Sequence, residues 1–222
     1  MTALTVLWYN VTMLFKSFSE KINTTLGRLS PARRIFLSFA LVILAGSLLL
    51  SLPFVQATSS QATYFDHLFT AVSMVCVTGL FTQPVAATYN IWGQLICMFL
   101  IQIGGLGLMT FIGVFYIQSK QKLSLRSRET ILESFSYGET QSLMVFIRSI
   151  FLTTFIVEGL GAFLLSFRFV PEFGWGRGIF TSIFVAISAF CNAGFDNFGS
   201  TSLVAFQTDP LINLVLAALI IT

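Results

Sequence analysis

Apolar residues fall in long runs separated by short polar breaks. Residues 35–52 are almost free of polar groups, and residues 89–118 form a longer run. Residues 143–167 form a third, carrying Arg148 near its start and Glu158 near its middle. A helix of about twenty apolar residues crosses a bilayer core, so these three runs predict membrane helices, the second tilted to absorb its length. Residues 210–222 are apolar but only thirteen long, and the run ends without a polar flank. The expectation is that the chain is part of a longer protein. Two shorter apolar segments, 64–75 and 179–190, each run into a Gly-bearing step: "CVTGL" from Cys76 and "CNAGF" from Cys191. Segments this short suit an element that enters a membrane and leaves on the same side.

The two steps belong to an internal repeat. Shifting the sequence by 115 aligns Ile35–Gly79 with Ile150–Gly194 without gaps, and 16 of 45 columns are identical. They include Gly46 with Gly161, Ser73 with Ser188, Cys76 with Cys191 and Gly79 with Gly194. Each copy predicts the same plan: a helix running outward, an outside loop, a short re-entrant helix, a glycine step and a helix running inward. The copies have the same sense, so an axis along the membrane normal relates them and each supplies one wall of a pore-like arrangement. The expected fold is an all-α integral membrane protein of repeated helix–pore loop–helix units. Its parts are a cytoplasmic segment (1–34), a first repeat (35–118), a cytoplasmic connector (119–142) and a second repeat (143–222).

Composition changes this picture little and orients it. Only 9% of residues are charged and 55% are hydrophobic, far fewer charges than the quarter or so of a soluble chain. Ten of the twelve Lys and Arg flank the predicted inner side: Lys16, Lys21, Arg28, Arg33, Arg34, Lys120, Lys122, Arg126, Arg128 and Arg148. Cytoplasmic loops collect such charges, so the N-terminus and the 119–148 connection face the cytoplasm. The net charge of +3 points to no nucleic-acid partner, because the positives stand where topology wants them. The first residues lack the layout of a signal peptide; residues 4–9 and 11–18 suggest an amphipathic segment on the inner surface. Cys76, Cys97 and Cys191 form no CxxC and read as small buried hydrophobes. One His and no catalytic constellation speak against an enzyme.

The chemistry lies in the steps. Irregular backbone at membrane depth is tolerated where it is buried in protein or lines a water-filled path. A short helix before each step aims the partial negative charge of its C-terminus at whatever sits there, which favours a cation. Glycine admits positive φ, so successive carbonyls can turn to one side and replace the hydration shell of an ion, as in potassium filters.

The paired "VCVTGL" and "FCNAGF" loops between helices resemble those of the Trk/Ktr/HKT superfamily of potassium transporters. "IQIGGLGLMTF" (residues 101–111) looks like the second helix of that superfamily's first repeat, and "LSPARR" before the first span looks like the Ktr-type membrane subunit. The resemblance covers residues 29–222. It implies four repeats around one pore, of which this chain holds the first two, and one filter glycine per repeat, here Gly79 and Gly194. The implied K⁺ site is formed by Cys76, Val77, Thr78 and Gly79 with Cys191, Asn192, Ala193 and Gly194. The implied activity is K⁺ uptake, with Na⁺ coupling open, by a homodimer gated by a cytosolic nucleotide-binding ring in the plasma membrane. A passive cation channel and a non-conducting membrane scaffold stand as alternatives.

Other residues admit two readings each. Glu158 is either functional or a structural hydrogen-bond partner of a re-entrant segment. Asp196 and Asn197 either ring the outer mouth and concentrate cations or sit in a solvated turn. Asp66 suits a helix N-terminus, and His67 reads as a surface or packing residue. Gly104, Gly105 and Gly107 read as sites of close helix approach or bending. Residues 125–135 have the spacing of an amphipathic cytoplasmic helix.

Overall fold

The computed structural model describes residues 31–58, 60–107 and 140–222. The expected amphipathic segments within 4–18 and 125–135, and the end of the 89–118 run, lie outside them. Among the described residues the protein is helical, with one isolated antiparallel bridge between Gln56 and Tyr89. Seven α-helices follow in order: α1 (Pro31–Leu50), α2 (Tyr64–Val75), α3 (Val85–Thr88), α4 (Ile91–Leu106), α5 (Thr140–Phe173), α6 (Trp175–Phe190) and α7 (Pro210–Ile221). Among the described residues one stretch, Arg148–Phe173 of α5, is long and apolar enough to cross a bilayer. The apolar parts of α1, α4, α6 and α7 are shorter.

The two copies of the repeat share one packing plan. In the first, α1 packs on α2 and α4; in the second, α5 packs on α6 and α7. The paired glycines explain how. A Cβ on Gly46 would stand 2.7 Å from the Leu100 side chain, and one on Gly161 would stand 2.8 Å from Leu219. Each glycine lets the first helix of its copy seat a leucine of the last. The last helices also start alike. Asn90 accepts hydrogen bonds from the N–H groups of Trp92 and Gly93, and Asp209 from those of Leu211 and Ile212, which satisfies donors that a helix start leaves free. These matching pairs stand 119 residues apart, so the repeat continues past the 115-residue offset after an insertion of four.

Three expected boundaries need correction. The 89–118 run is not one tilted helix: α4 ends at Leu106, where Gly107 takes φ 78°. The second short helix is not 179–190 but Trp175–Phe190, because Gly174 at φ 80° turns the chain straight from α5 into α6. The outside loop expected in the second copy is therefore reduced to a turn. The third run, 143–167, extends as helix to Phe173, with Pro171 in its final turn.

The core is a continuous apolar cluster joining α1, α2, α4 and α6, including Leu50, Met74, Tyr89, Ile101 and Phe184. A second cluster joins α5, α6 and α7 around Phe169, which Phe198 and Phe206 meet edge-on at 5.2 and 5.4 Å. Outside these clusters, α1 exposes Phe36, Leu41 and Leu48, and α5 exposes Phe155, Leu160 and Phe163. Apolar faces of this extent need an apolar surrounding.

Candidate functional site

The glycine steps are built alike to the level of single hydrogen bonds. In the first, Thr78 N donates to Ser73 O (2.9 Å) and Val77 N to Met74 O (3.3 Å). In the second, Ala193 N donates to Ser188 O (2.8 Å) and Asn192 N to Ala189 O (3.0 Å). Val77 and Asn192 adopt φ 56° and 55°, and Gly79 and Gly194 adopt φ 73° and 69°. Alternation of left-handed residues thus recurs in register. A valine at positive φ is rare and costs energy, so the surrounding bonds must hold it there.

The holding groups are Ser73 and Ser188. Ser73 Oγ accepts from Leu80 N (2.9 Å) and shares a 2.8 Å bond with Thr78 Oγ1. Ser188 Oγ accepts from Phe195 N at 2.8 Å. Each serine lies in the last turns of its short helix and binds the chain seven residues on, folding the step back over the helix end. They were not among the residues assigned to the site from sequence, although their identity across the repeat was the available signal. Ser188→Ala leaves the buried Phe195 N–H without its partner, which costs about 1–3 kcal/mol. Thermal unfolding of the detergent-solubilised protein checks this: the variant melts at a lower temperature than wild type.

The steps meet. A Cβ on Gly79 would lie 2.9 Å from Ala193 O and 3.5 Å from Gly194 Cα, and one on Gly194 would lie 3.4 Å from Gly79 Cα. Of the expected site residues, Thr78 and Asn192 are exposed, Val77 and Gly79 are partly so, and Gly194 is exposed. Ala193 and Cys191 are buried. Cys76, read as a buried small residue, is instead exposed at the end of α2. Asn192 Nδ2 donates to Ile220 O at 3.4 Å.

Helix α4 touches the end of α2, which leads into the first step, and the start of the second step. A Cβ on Gly104 would meet Val75 O at 2.6 Å and Met74 O at 2.7 Å, and one on Gly105 would run into Cys191 Sγ. Close approach is the reason for these two glycines. Glu158, 5% exposed, accepts a 2.8 Å hydrogen bond from Gln102 Nε2 of α4. The structural partner of Glu158 is therefore a helix of the other repeat, not the re-entrant segment expected.

The residues expected on the outer side are engaged within the protein. Asp196 accepts from Phe198 N (3.0 Å) and from Ser202 Oγ, which orders its turn. Asn197 is buried and donates to Gln94 Oε1 at 3.2 Å. His67 packs in the core, bonded to Tyr89 Oη (2.9 Å) and Gln56 Nε2 (3.2 Å). Asp66 accepts from Thr63 N and Oγ1, both at 2.7 Å. Hydrogen bonds from Thr63, then from Thr82, hold its carboxyl at about 2, well below the usual range.

With this geometry in view, comparison with known proteins is decisive. The family model described as TrkH, cation transport protein, matches residues 30–222. This chain belongs to the TrkH cation transport family. Among its relatives is the potassium/sodium uptake protein NtpJ of Enterococcus hirae, 43% identical over 194 residues. The match covers 87% of this chain and 43% of NtpJ. The Ktr system potassium uptake protein B of Bacillus subtilis is 37% identical over 195 residues, covering 88% of this chain and 43% of that protein. Its namesake from Vibrio alginolyticus is 39% identical over 189 residues, covering 85% and 41%. The chain thus spans less than half the length of these relatives. Members of the TrkH family are transporters rather than enzymes, and both glycine steps lie within the matched region.

Proposed function

We propose that this chain carries two of the four repeats of the ion-translocating subunit of a K⁺ uptake system. The meeting of the glycine steps is the observation that supports this most. Two stretches 115 residues apart repeat the same left-handed alternation and approach until Gly79 and Gly194 are in contact range. The C-termini of α2 and α6, with their partial negative charge, lead into this meeting place. Alternating backbone angles of this kind support a path lined by carbonyls, which replace water around a dehydrated cation.

In this reading Cys76–Gly79 and Cys191–Gly194 form half of a K⁺ filter, and two further repeats close it. Residues 35–118 and 143–222 are the repeats, α2 and α6 are re-entrant pore helices, and 119–142 is a cytoplasmic connector. The subunit spans the cell membrane with its N-terminus inside. The names of the Ktr-system relatives support a multi-component system, read here as a homodimer on a cytosolic nucleotide-binding ring. The name of NtpJ supports Na⁺ as a second or coupled ion. Glu158 and Asp196 support the filter from behind and from the outer turn, without touching the ion.

The test is uptake by the full-length protein in cells deprived of their own K⁺ uptake systems. Expression restores growth at low external K⁺ and accumulates rubidium as a K⁺ tracer. Absence of both in cells with confirmed membrane expression overturns the reading and favours a scaffold. Flux that only follows the electrochemical gradient identifies a channel.

A further inference from the structure

We propose that Glu158 is a positioning residue: through Gln102 it fixes α4 against both glycine steps and so sets their discrimination between ions. The inference rests on the ion-passage reading above.

The contacts run in sequence. Gln102 and Gly105 stand three residues apart on α4, a spacing that places them on one face of a helix. Both face the second repeat, Gln102 through its bond to Glu158 Oε1 and Gly105 through its seat against Cys191. Gly104, next along the helix, sits against the last carbonyls of α2, Met74 and Val75. One stretch of four residues therefore touches Glu158, the second step and the end of α2, where the Met74 carbonyl accepts from Val77 N of the first step. A shift of α4 along its axis would disturb both steps together.

The energetics favour a directional role. Glu158 and Gln102 are 5% and 8% exposed, and Gln102 Oε1 has no hydrogen-bond partner among the described residues. A buried carboxylate and an orphaned amide oxygen are costly, and well-packed apolar side chains of similar size would be at least as stable. Apolar side chains, however, pack at several offsets. A hydrogen bond between one donor and one acceptor selects a single offset, the use for which buried polar pairs are best attested. The bond spans 56 residues and joins the two repeats, at the level where α4 meets Cys191.

The experiment uses the full-length protein in vesicles, with the amount inserted measured for each variant. It compares wild type, Glu158→Leu, Glu158→Gln and the double variant Glu158→Leu with Gln102→Leu. In both variants carrying Glu158→Leu, K⁺ uptake per molecule persists while K⁺/Na⁺ discrimination falls by about threefold to tenfold. Glu158→Gln keeps an oxygen for Gln102 Nε2 and stays within about twofold of wild type. A merely structural pair lowers the amount of inserted protein and leaves the ratio per molecule unchanged, and that result overturns the proposal. So does Glu158→Gln losing as much discrimination as Glu158→Leu, since the charge itself would then be acting. If wild-type protein takes up no K⁺, the ion-passage reading itself is wrong.

Discussion

Replacing Gly79 with Ser in the full-length protein lowers K⁺/Na⁺ discrimination by about tenfold, and Gly194→Ser lowers it less. Both positions have φ near 70°, where a side chain costs about 1–2 kcal/mol. That cost alone amounts to roughly a tenfold shift in an equilibrium. The two sites differ in what surrounds them. A Cβ at Gly79 would stand 2.9 Å from Ala193 O, a backbone atom that cannot swing aside. A Cβ at Gly194 meets nothing closer than 3.4 Å. Relief at Gly79 therefore has to come from the second step, and the damage spreads to both. Rubidium uptake in competition with Na⁺, measured for the two variants side by side, checks the order. Equal discrimination in Gly79→Ser and wild type would remove these residues from the filter.

The other large effect is at Gly104. A single methyl there would stand 2.6 and 2.7 Å from two backbone carbonyls at the end of α2. Neither can move without displacing the first glycine step. Overfilling a packed site in this way costs about 1–3 kcal/mol, so Gly104→Ala lowers both thermal stability and K⁺ uptake per molecule. Gly159→Ala is the control. It lies within helix α5 with nothing within 4 Å of the added Cβ, and alanine is the better helix former by about 1 kcal/mol. That variant keeps wild-type uptake and melts no lower than wild type. Detergent melting curves and uptake, recorded together for both alanines, separate close packing from a general intolerance of substitution.

Much of this architecture is visible in one dimension because its causes are local. Apolar run length, the clustering of Lys and Arg and the recurrence of a glycine step need no knowledge of distant contacts. The repeat shows because both copies solve one packing problem: Gly46 and Gly161 each admit a leucine, and Ser73 and Ser188 each tie down a step. The local signals failed where a single backbone angle decided an element. Gly107 and Gly174 look like other helix glycines in sequence, yet their positive φ ends α4 and turns α5 into α6. The second copy's four-residue insertion hid the match between Asn90 and Asp209, which only their equal capping roles disclose.

The glycine steps, their candidate chemistry and the helical membrane class therefore follow from residue order, since they depend on backbone freedom and on the hydrophobic length of each segment. Partnership does not. That Gly79 lies against Gly194, that Glu158 answers Gln102 rather than a re-entrant segment, and that His67 is buried against Tyr89 are set by how the helices pack. A side chain's neighbours across 22, 56 or 115 residues depend on the crossing of whole helices, and close packing admits few crossings. Residue order supplied two similar loops; folding placed them face to face.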